Sequence, residues 1–194
     1  MAKIGAVILA AGESSRLGRP KQLVQFQGKS LLRRIIDAAI QAGCAPVAIV
    51  TGRDHAKVST EIDDAVLIEN EHWELGIGTS IRAGVAALTN DKGTLLDAIV
   101  LLVCDQPFVD SNVIRSLIER HTQTGKPIAA SSYAGTVGVP ALFDRICFAE
   151  LLALPDDSGA KPIFQAEPGR VAKFEFPEGM RDIDTIADYE NLSQ

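Results

Sequence analysis

The chain has 194 residues, of which 46% are hydrophobic and 23% are charged, and its formal net charge is −6. This length suffices for one domain with a sizeable core, and the composition excludes a disordered, collagen-like or coiled-coil chain. No apolar run approaches the roughly 18 to 20 residues that a membrane-spanning helix needs, and nucleic-acid binders usually carry a basic face. We therefore expect a single domain over residues 1–194 that binds neither nucleic acid nor membrane.

The cysteines and the start of the chain bear on its compartment. Cys44, Cys104 and Cys147 lie far apart, and no CxxC pair or Cys/His cluster accompanies them. This pattern argues against a disulfide framework or a structural zinc site and favours a reducing cytoplasm. The first residues resemble a signal peptide only faintly, because their apolar stretch is short, and we interpret that stretch as a buried strand. The expected location is the cytoplasm.

Apolar runs alternate with segments of helical periodicity along the whole chain. The sequence predicts strands over residues 4–10, 47–50, 65–68, 98–103, 128–133 and 171–176. It predicts helices from Ser30 to Gly43, over 54–62, through 81–88, from Ser111, over about 143–152 and over 185–192, with polar loops at 70–79 and 156–161. This alternation indicates an α/β fold, a single doubly wound, mostly parallel sheet flanked by helices. In such sheets ligands bind at the carboxyl ends of the strands.

A loop of small residues and cations follows the first predicted strand. Its backbone N–H groups can approach phosphate oxygens closely, and Arg16, Arg19 and Lys21 add positive charge within the same stretch. The loop matches neither the Walker A pattern nor the Rossmann GxGxxG pattern. A surface turn with solvated cations is the alternative interpretation, but the preceding strand and the three cations favour phosphate binding.

Asp105 ends the most hydrophobic predicted strand, so its carboxylate is expected to face the cleft at the strand ends. Mg²⁺ prefers one or two carboxylates together with phosphate oxygens and water. An Asp before Gln106 and Pro107 is also typical of a turn, and an Asp before a final helix, such as Asp184, is typical of a helix cap.

Several motifs, in order, resemble one known family. Leu9-Ala-Ala-Gly-x-x-x-Arg16-x-Gly18, followed by Pro20-Lys21-Gln22-Leu23, resembles the signature of nucleotidyltransferases with the nucleotide-diphospho-sugar transferase-like variant of the Rossmann fold. Further segments resemble the molybdenum cofactor cytidylyltransferase branch: Asn70-x-x-Trp73-x-x-Gly76-x-x-x-Ser80-Ile81-x-x-Gly84, Cys104-Asp-Gln-Pro107, Gly138-Val-Pro140-Ala-Leu-Phe143, Asp157-Ser-Gly159-Ala-Lys161 and Asp182-Ile-Asp184-Thr185. Asp156 and Lys161 depart from that branch, which usually has Gly and Arg there. The resemblance covers nearly the whole chain.

The resemblance implies transfer of CMP from CTP to the phosphate of the molybdenum-bound pterin, molybdopterin, with release of pyrophosphate. It implies catalytic roles for Arg16, Lys21 and Asp105, with Mg²⁺ as cofactor held by Asp105 and Asp184. It implies substrate contacts by Leu9, Ala10, Ala11, Gly12, Glu13, Ser14, Ser15, Thr51, Gly52, Asn70, Gly78, Thr79, Ser80, Gln106, Pro107, Pro140 and Asp157. The loop amides and Arg16 would bind the outer phosphates, and Lys21 would neutralise charge near the α-phosphate.

Partners and alternatives follow from the same resemblance. The expected partners are CTP, a phosphorylated pterin substrate and a client molybdoenzyme. Guanylyl-transferring relatives tend to have Gly where this chain has Ala11, so CTP is expected to be preferred over GTP. The alternatives are a related guanylyl- or sugar-phosphate nucleotidyltransferase, or a non-catalytic nucleotide-binding maturation factor for a molybdoenzyme.

Overall fold

A seven-stranded sheet forms the centre of the computed structural model, which describes residues 2–14, 17–90, 95–183 and 185–192. The strands in the described residues are β1 (Ile4–Ala10), β2 (Gln25–Phe26), β3 (Lys29–Ser30), β4 (Val47–Thr51), β5 (Val66–Glu69), β6 (Ala98–Val103), β7 (Ile128–Tyr133), β8 (Thr136–Asp144) and β9 (Val171–Glu175). The α-helices are α1 (Leu31–Gln41), α2 (His55–Val58), α3 (Ile77–Thr89), α4 (Ser111–Thr124), α5 (Phe148–Leu152), α6 (Lys161–Ala166) and α7 (Ile186–Leu192).

The sheet has the strand order β5-β4-β1-β6-β8-β7-β9, and β2 and β3 form a separate antiparallel pair. β1 pairs in parallel with β4 and with β6, and β7 pairs in parallel with β9. β8 is antiparallel to both of its neighbours, β6 and β7. The predicted mostly parallel, doubly wound sheet is therefore confirmed, with one reversed strand.

Both faces of the sheet are covered, and for this reason the central strands are apolar at nearly every position. In β1, Ala6 and Ile8 belong to the core that α1 and α4 complete, whereas Val7 and Leu9 belong to the core on the side of α3, α5 and α6. Ser30 begins α1, and its side chain accepts a hydrogen bond from the backbone N–H of Arg33. This contact satisfies one of the free N–H groups of the first turn, as the sequence predicted.

The prediction between residues 134 and 152 was wrong in part. Residues 136–144 form strand β8, not a loop leading to a helix at 143, and the helix begins at Phe148. The alternation of Val137, Val139, Ala141 and Phe143 is a strand pattern, but Gly138 and Pro140 obscure it. Pro140 is tolerated because it lies where the register between β7 and β8 shifts, so its missing N–H interrupts no regular pair. The sequence also missed α6, which begins at Lys161.

The ends of β1, β4, β5, β6 and β7 lie at one edge of the sheet, as parallel pairing requires. The first residues of β8 lie at the same edge because this strand runs the other way. Within the described residues, no helix combines the length and the apolar character that crossing a membrane requires.

Candidate functional site

An ion pair joins the loop after β1 to the end of β6. The Nζ atom of Lys21 donates a hydrogen bond to Oδ2 of Asp105 over 2.5 Å. The Lys21 side chain is 13% exposed and that of Asp105 is 20% exposed, so the pair is shielded from water but still accessible. The strand-end location predicted for Asp105 and the position of Lys21 beside it place both groups where a phosphate and a cation could bind.

Two side chains hold the small-residue loop in place. Gln22 is 1% exposed, and its Nε2 donates to the carbonyl oxygen of Ala10 over 2.6 Å and to that of Gly12 over 3.5 Å. The backbone N–H of Lys21 donates to Oγ of Ser14 over 2.8 Å. Because these bonds connect the loop to the turn that follows it, they fix the backbone from which Lys21 projects.

A cavity of about 210 Å³ lies over this ion pair, between the ends of β1 and β6 and the start of α3. We call it the strand-end cavity, and its lining includes Leu9, Ala11, Lys21, Trp73, Ser80 and Asp105. Gly12 lines it as well. The structure thus brings six of the residues with predicted roles, Leu9, Ala11, Gly12, Lys21, Ser80 and Asp105, into one cavity.

A buried polar network supports one wall of this cavity. Asn70 is 6% exposed, and its Nδ2 donates to the hydroxyl oxygens of Thr79 over 2.8 Å and of Ser80 over 2.9 Å. The Thr79 hydroxyl in turn donates to the carbonyl oxygens of His72 and Gly76. Ser80 accepts from Asn70 and lines the cavity, so its hydroxyl proton can point toward a ligand.

Two glycines bring neighbouring loops into close contact beside this wall. A Cβ atom at Gly52 would lie 2.7 Å from Cγ of Trp73 and 2.9 Å from the carbonyl oxygen of Ala11. A Cβ atom at Gly78 would lie 1.9 Å from the carbonyl oxygen of Pro155. The Gly78 N–H donates a hydrogen bond to the carbonyl oxygen of Asp156. The loop 155–158 therefore packs directly on the first turn of α3. Asp157 is exposed within that loop.

Four residues predicted to contact substrate are buried and are not among the described residues that line the strand-end cavity: Thr51, Gln106, Pro107 and Pro140. Thr51 is fully buried, and its hydroxyl donates to the carbonyl oxygen of Ile68. Gln106 is 5% exposed, and its Nε2 donates to the carbonyl oxygen of Gly179 over 2.7 Å. Pro107 and Pro140 are buried, with their carbonyl oxygens bound by Arg34 and Ser131.

The cations and acids beside the loop form a second, polar group. Glu13, Ser14, Arg19 and Arg53 line a cavity of about 250 Å³, across which Arg53 pairs with Glu13. The guanidinium of Arg19 lies 5.2 Å from the centre of the Tyr189 ring, so it faces α7. The predictions for Ser15, Arg16 and Asp184 lie outside the described residues.

The segment before α7 approaches Asp105 through its backbone. The N–H of Ile183 donates to the carbonyl oxygen of Asp105 over 3.0 Å. Burial raises the pKa of the Tyr133 phenol, and the negative charges of Asp182 and Asp105 raise it further. The backbone of Ile183 therefore lies beside Asp105.

An apolar cavity of about 240 Å³ adjoins the strand-end cavity and shares Leu9, Ile77 and Val103 with it. We call it the apolar cavity; its lining also includes Tyr133, Val139 and Phe164. The described residues that line it include a single charged one, Lys161, at the start of α6. Its size and lining suit the flat, largely apolar body of a small molecule.

Cys104 lines the strand-end cavity, but its chemistry is that of a buried apolar residue. It is 4% exposed, and burial together with the Asp105 charge raises the pKa of its thiol to about 12. The thiolate is the reactive form of cysteine, so Cys104 is not a suitable nucleophile.

Sequence reasoning missed the residues that act from neighbouring elements. Gln22 supports the loop through its side-chain hydrogen bonds, and its place in the Pro20–Leu23 motif does not by itself indicate that role. Tyr133 and Ile77 line the apolar cavity, and nothing in their local sequence distinguishes them from core residues. Arg53 follows β4 and reaches Glu13 of another loop. The position of Arg53 directly after a strand end was the available signal.

Solved structures similar to this chain share its fold. Rv0371c from Mycobacterium tuberculosis H37Rv has a crystal structure with a TM-score of 0.80 and 31% sequence identity, covering 98% of this chain and 97% of that one. A second structure of Rv0371c is a complex with manganese, with a TM-score of 0.73 and 29% identity, and the alignment covers 98% of this chain and 98% of that one.

Two curated relatives differ from each other in name and in how much of their length this chain covers. The nicotine blue oxidoreductase of Paenarthrobacter nicotinovorans is 28% identical over 196 residues, which are 94% of this chain and 93% of that protein. The bifunctional protein GlmU of Bifidobacterium longum subsp. infantis is 31% identical over 130 residues. These residues are 64% of this chain but only 28% of GlmU, so the chain spans less than a third of that relative. Residues 6–171 match the MobA-like NTP transferase domain, and the chain belongs to that family.

Proposed function

We propose that this chain transfers CMP from CTP to the phosphate of a phosphorylated pterin and releases pyrophosphate. The Lys21–Asp105 pair carries the proposal, because it places a cation and a carboxylate together in a cavity at the strand ends of an NTP transferase domain. A non-catalytic nucleotide-binding factor needs no such pair. The CTP and pterin assignments rest on the resemblance noted above.

The proposed reaction is a direct displacement at the α-phosphorus. An oxygen of the acceptor phosphate forms a bond to the α-phosphorus, while the bond from that phosphorus to the oxygen bridging the β-phosphorus breaks. The electron pair leaves with pyrophosphate, and no protein nucleophile takes part. Catalysis of this kind comes mainly from positioning and charge stabilisation, which the loop amides and Lys21 supply.

The residues near Asp105 suit a divalent cation shared with the nucleotide. Within the described residues, no cluster of three or more His, Cys, Asp or Glu side chains could hold a metal by itself. Mg²⁺ needs no such cluster where phosphate oxygens and water complete its shell. Asp105 would be one ligand, and Asp182 or Asp184, on either side of the Ile183 contact, would be the second. When bound, the metal would neutralise charge on the phosphates.

The base would lie against Ala11, beside the wall formed by Trp73 and Ser80. Ala11 lines the strand-end cavity, and its methyl group would take space that the larger purine base needs, so a pyrimidine is favoured. The Ser80 hydroxyl is placed to donate to an acceptor atom of the base, and cytosine offers its O2 and N3.

The apolar cavity next to this site would take the body of the acceptor. A pterin ring is flat and can pack between aliphatic and aromatic side chains such as Val139 and Phe164. A sugar phosphate is less suited, because its puckered ring has no flat faces to pack against these side chains.

A second candidate function is an oxidoreductase that acts on a flat aromatic substrate. Two observations favour it: one relative that matches nearly full length is a nicotine blue oxidoreductase, and the apolar cavity suits a flat ring. The Lys21–Asp105 pair has no clear part in such a reaction. Transferase and oxidoreductase can be separated in one preparation by following pyrophosphate in one sample and oxidation of NADH or NADPH in another.

The test is pyrophosphate release from each of the four nucleoside triphosphates, with Mg²⁺ and with or without the molybdenum-bound pterin phosphate. We expect release with CTP that depends on the acceptor and that is lost in Asp105→Asn. Asp63→Asn is the matched control, since this exposed carboxylate lies away from the site. No acceptor-dependent release with any nucleotide would contradict the proposal.

A further inference from the structure

The apolar cavity opens into a third cavity of different chemistry. This cavity has a volume of about 230 Å³ and shares Thr136, Val137, Lys161 and Phe164 with the apolar cavity. Val171 and Lys173 of β9 line its far side. We call it the lysine cavity. Because four residues line both spaces, the two cavities are adjacent on the same side of the sheet.

The charge of the lysine cavity is opposite to that of the chain as a whole. Although the net charge is −6, the charged side chains among the described residues that line this cavity are two lysines, Lys161 and Lys173. Within the described part of the chain, neither ammonium group has a hydrogen-bonded or ion-paired acid, unlike Lys29 or Lys57, which pair with Asp37 and Asp54.

The two lysines belong to the same face of the sheet as the apolar cavity. Lys173 pairs in register with Ala130, which faces the core on the α3, α5 and α6 side. Lys161 begins α6, and Phe164 of the same helix is buried in that core. A molecule lying in the apolar cavity would therefore meet Lys161 first and Lys173 beyond it.

The sheet itself sets the scale of this arrangement. From β6, which ends before Asp105, the strands follow in the order β8, β7 and β9, so Lys173 lies three strand spacings away. At about 4.8 Å per spacing, the lateral separation is roughly 14 Å. Lys173 is thus remote from the phosphates that Lys21 and Asp105 would hold.

We propose that the lysine cavity is the distal half of the acceptor site and binds a second anionic group of the acceptor. The acceptor would carry the reacting phosphate at one end, a flat ring whose faces pack in the apolar cavity, and a second anionic group near Lys161 and Lys173. This assignment of substrate class rests on the proposed transferase function. The binding chemistry itself, an apolar body with an anion, can be tested without turnover.

The test compares two fluorescent probes that share one aromatic body, 8-anilinonaphthalene-1-sulfonate and the uncharged N-phenyl-1-naphthylamine. We expect the full chain to bind the sulfonate more tightly, and Lys161→Ala/Lys173→Ala to weaken sulfonate binding about three- to tenfold, as expected for two ion pairs made by exposed lysines. Binding of the uncharged probe should stay unchanged. Lys3→Ala is the control, since this exposed lysine lies at the opposite edge of the sheet. Added NaCl should reduce the preference for the sulfonate.

The outcomes separate this inference from the proposed function. Equal sulfonate affinity in the wild type and the double variant, or equal loss of both probes, would overturn the lysine cavity as an anion site, whatever the pyrophosphate assay shows. Loss of sulfonate binding alone supports it, even if no nucleotide is turned over. In the working transferase, the same double variant should raise KM for the acceptor and leave KM for CTP unchanged. A raised KM for CTP with an unchanged KM for the acceptor would overturn the assignment of this cavity to the acceptor.

Discussion

The ammonium group of Lys21 lies 2.5 Å from Oδ2 of Asp105, although 84 positions separate the two residues in the sequence. The contact forms because β1 and β6 are neighbouring parallel strands, so the segments that follow them meet at one edge. In the free protein each group neutralises the other in a partly buried site. A bound nucleotide would offer both groups new partners, phosphate oxygens for Lys21 and a metal ion for Asp105.

Asp105→Asn is expected to abolish turnover while the protein stays folded. The amide keeps the shape of the side chain but loses the charge that a divalent cation requires. We expect kcat to fall at least about 100-fold, in the range found when one preorganised electrostatic group is removed. Steady-state pyrophosphate release measures turnover, and a thermal melt shows whether the protein stays folded. Asp63→Asn is the control for both. Full Mg²⁺-dependent activity in Asp105→Asn would remove Asp105 from the metal site.

Lys21→Ala is expected to slow the chemical step more than it weakens CTP binding. Charge at the α-phosphorus changes in the transition state, so a cation placed there acts mainly on kcat. Charged hydrogen bonds are worth about 1.5–3 kcal/mol, which predicts a decrease of roughly 10- to 100-fold. The measurement is kcat and KM for CTP in Lys21→Ala and in Lys3→Ala. A rise in KM with kcat unchanged would show that Lys21 only binds substrate.

Ala11→Gly is expected to narrow the preference for CTP over GTP. Ala11 lines the strand-end cavity, and in the proposed complex its methyl group would take space that a purine needs. A steric filter of one methyl group is worth about 1–3 kcal/mol, so the change should be partial. The ratio of kcat/KM for the two nucleotides is the readout. A wild type that prefers GTP would overturn the cytidylyl assignment, whereas an unchanged ratio in the variant would exclude only Ala11.

Gly78→Ala is expected to destabilise the protein and to displace the loop 155–158. The added Cβ would lie 1.9 Å from the carbonyl oxygen of Pro155, so the backbone must move. Gly159→Ala, in the adjoining loop, is the matched control, because its Cβ would meet Ile77 at an ordinary 3.7 Å. We expect a loss of about 1–3 kcal/mol in the free energy of unfolding for Gly78→Ala and little for Gly159→Ala. Equal urea midpoints for the two variants would contradict the close packing of the loop 155–158 on the first turn of α3.

The cysteine thiols are expected to resist alkylation in the native protein. Burial raises the pKa of Cys44 to about 12, and that of Cys104 is raised to about 12 by burial and by the Asp105 charge. Below that pH both thiols stay protonated, and only the thiolate reacts rapidly. Iodoacetamide at pH 8, followed by mass spectrometry, should label them slowly in the native chain and fast in urea. Rapid native labelling of Cys104 would show that this thiol is ionised and accessible.

The parts of the fold predicted from sequence were those with strong local signals. β1 and β6 are buried on both faces, so their sequences are continuous apolar runs that end at the predicted loop and at Asp105. β8 was missed because Gly138 and Pro140 interrupt its alternating pattern, and its partners compensate through a register shift. The six residues of α6 are too few to show a helical period.

The candidate site, like the fold, could be predicted from sequence only in part. Lys21 and Asp105 could be placed together because parallel strands end at a common edge. The roles of Thr51 and Gln106 could not be read, since a polar residue at a strand end can face the cleft or support it from below. Both are buried, and the Thr51 hydroxyl and the Gln106 side-chain NH₂ donate to backbone carbonyl oxygens. The lysine cavity depends on β9 lying beside β7, and no local pattern encodes that neighbour.

Transfer of label from CTP tests the central claim most directly. The chain, Mg²⁺ and the molybdenum-bound pterin phosphate are incubated with CTP labelled at the α-phosphorus, and the products are separated. We predict that the label moves to the acceptor, with one pyrophosphate released for each labelled product, and that Asp105→Asn shows no transfer. Label that stays in CTP, appears only as free CMP or becomes attached to the protein would contradict direct cytidylyl transfer at the Lys21–Asp105 site.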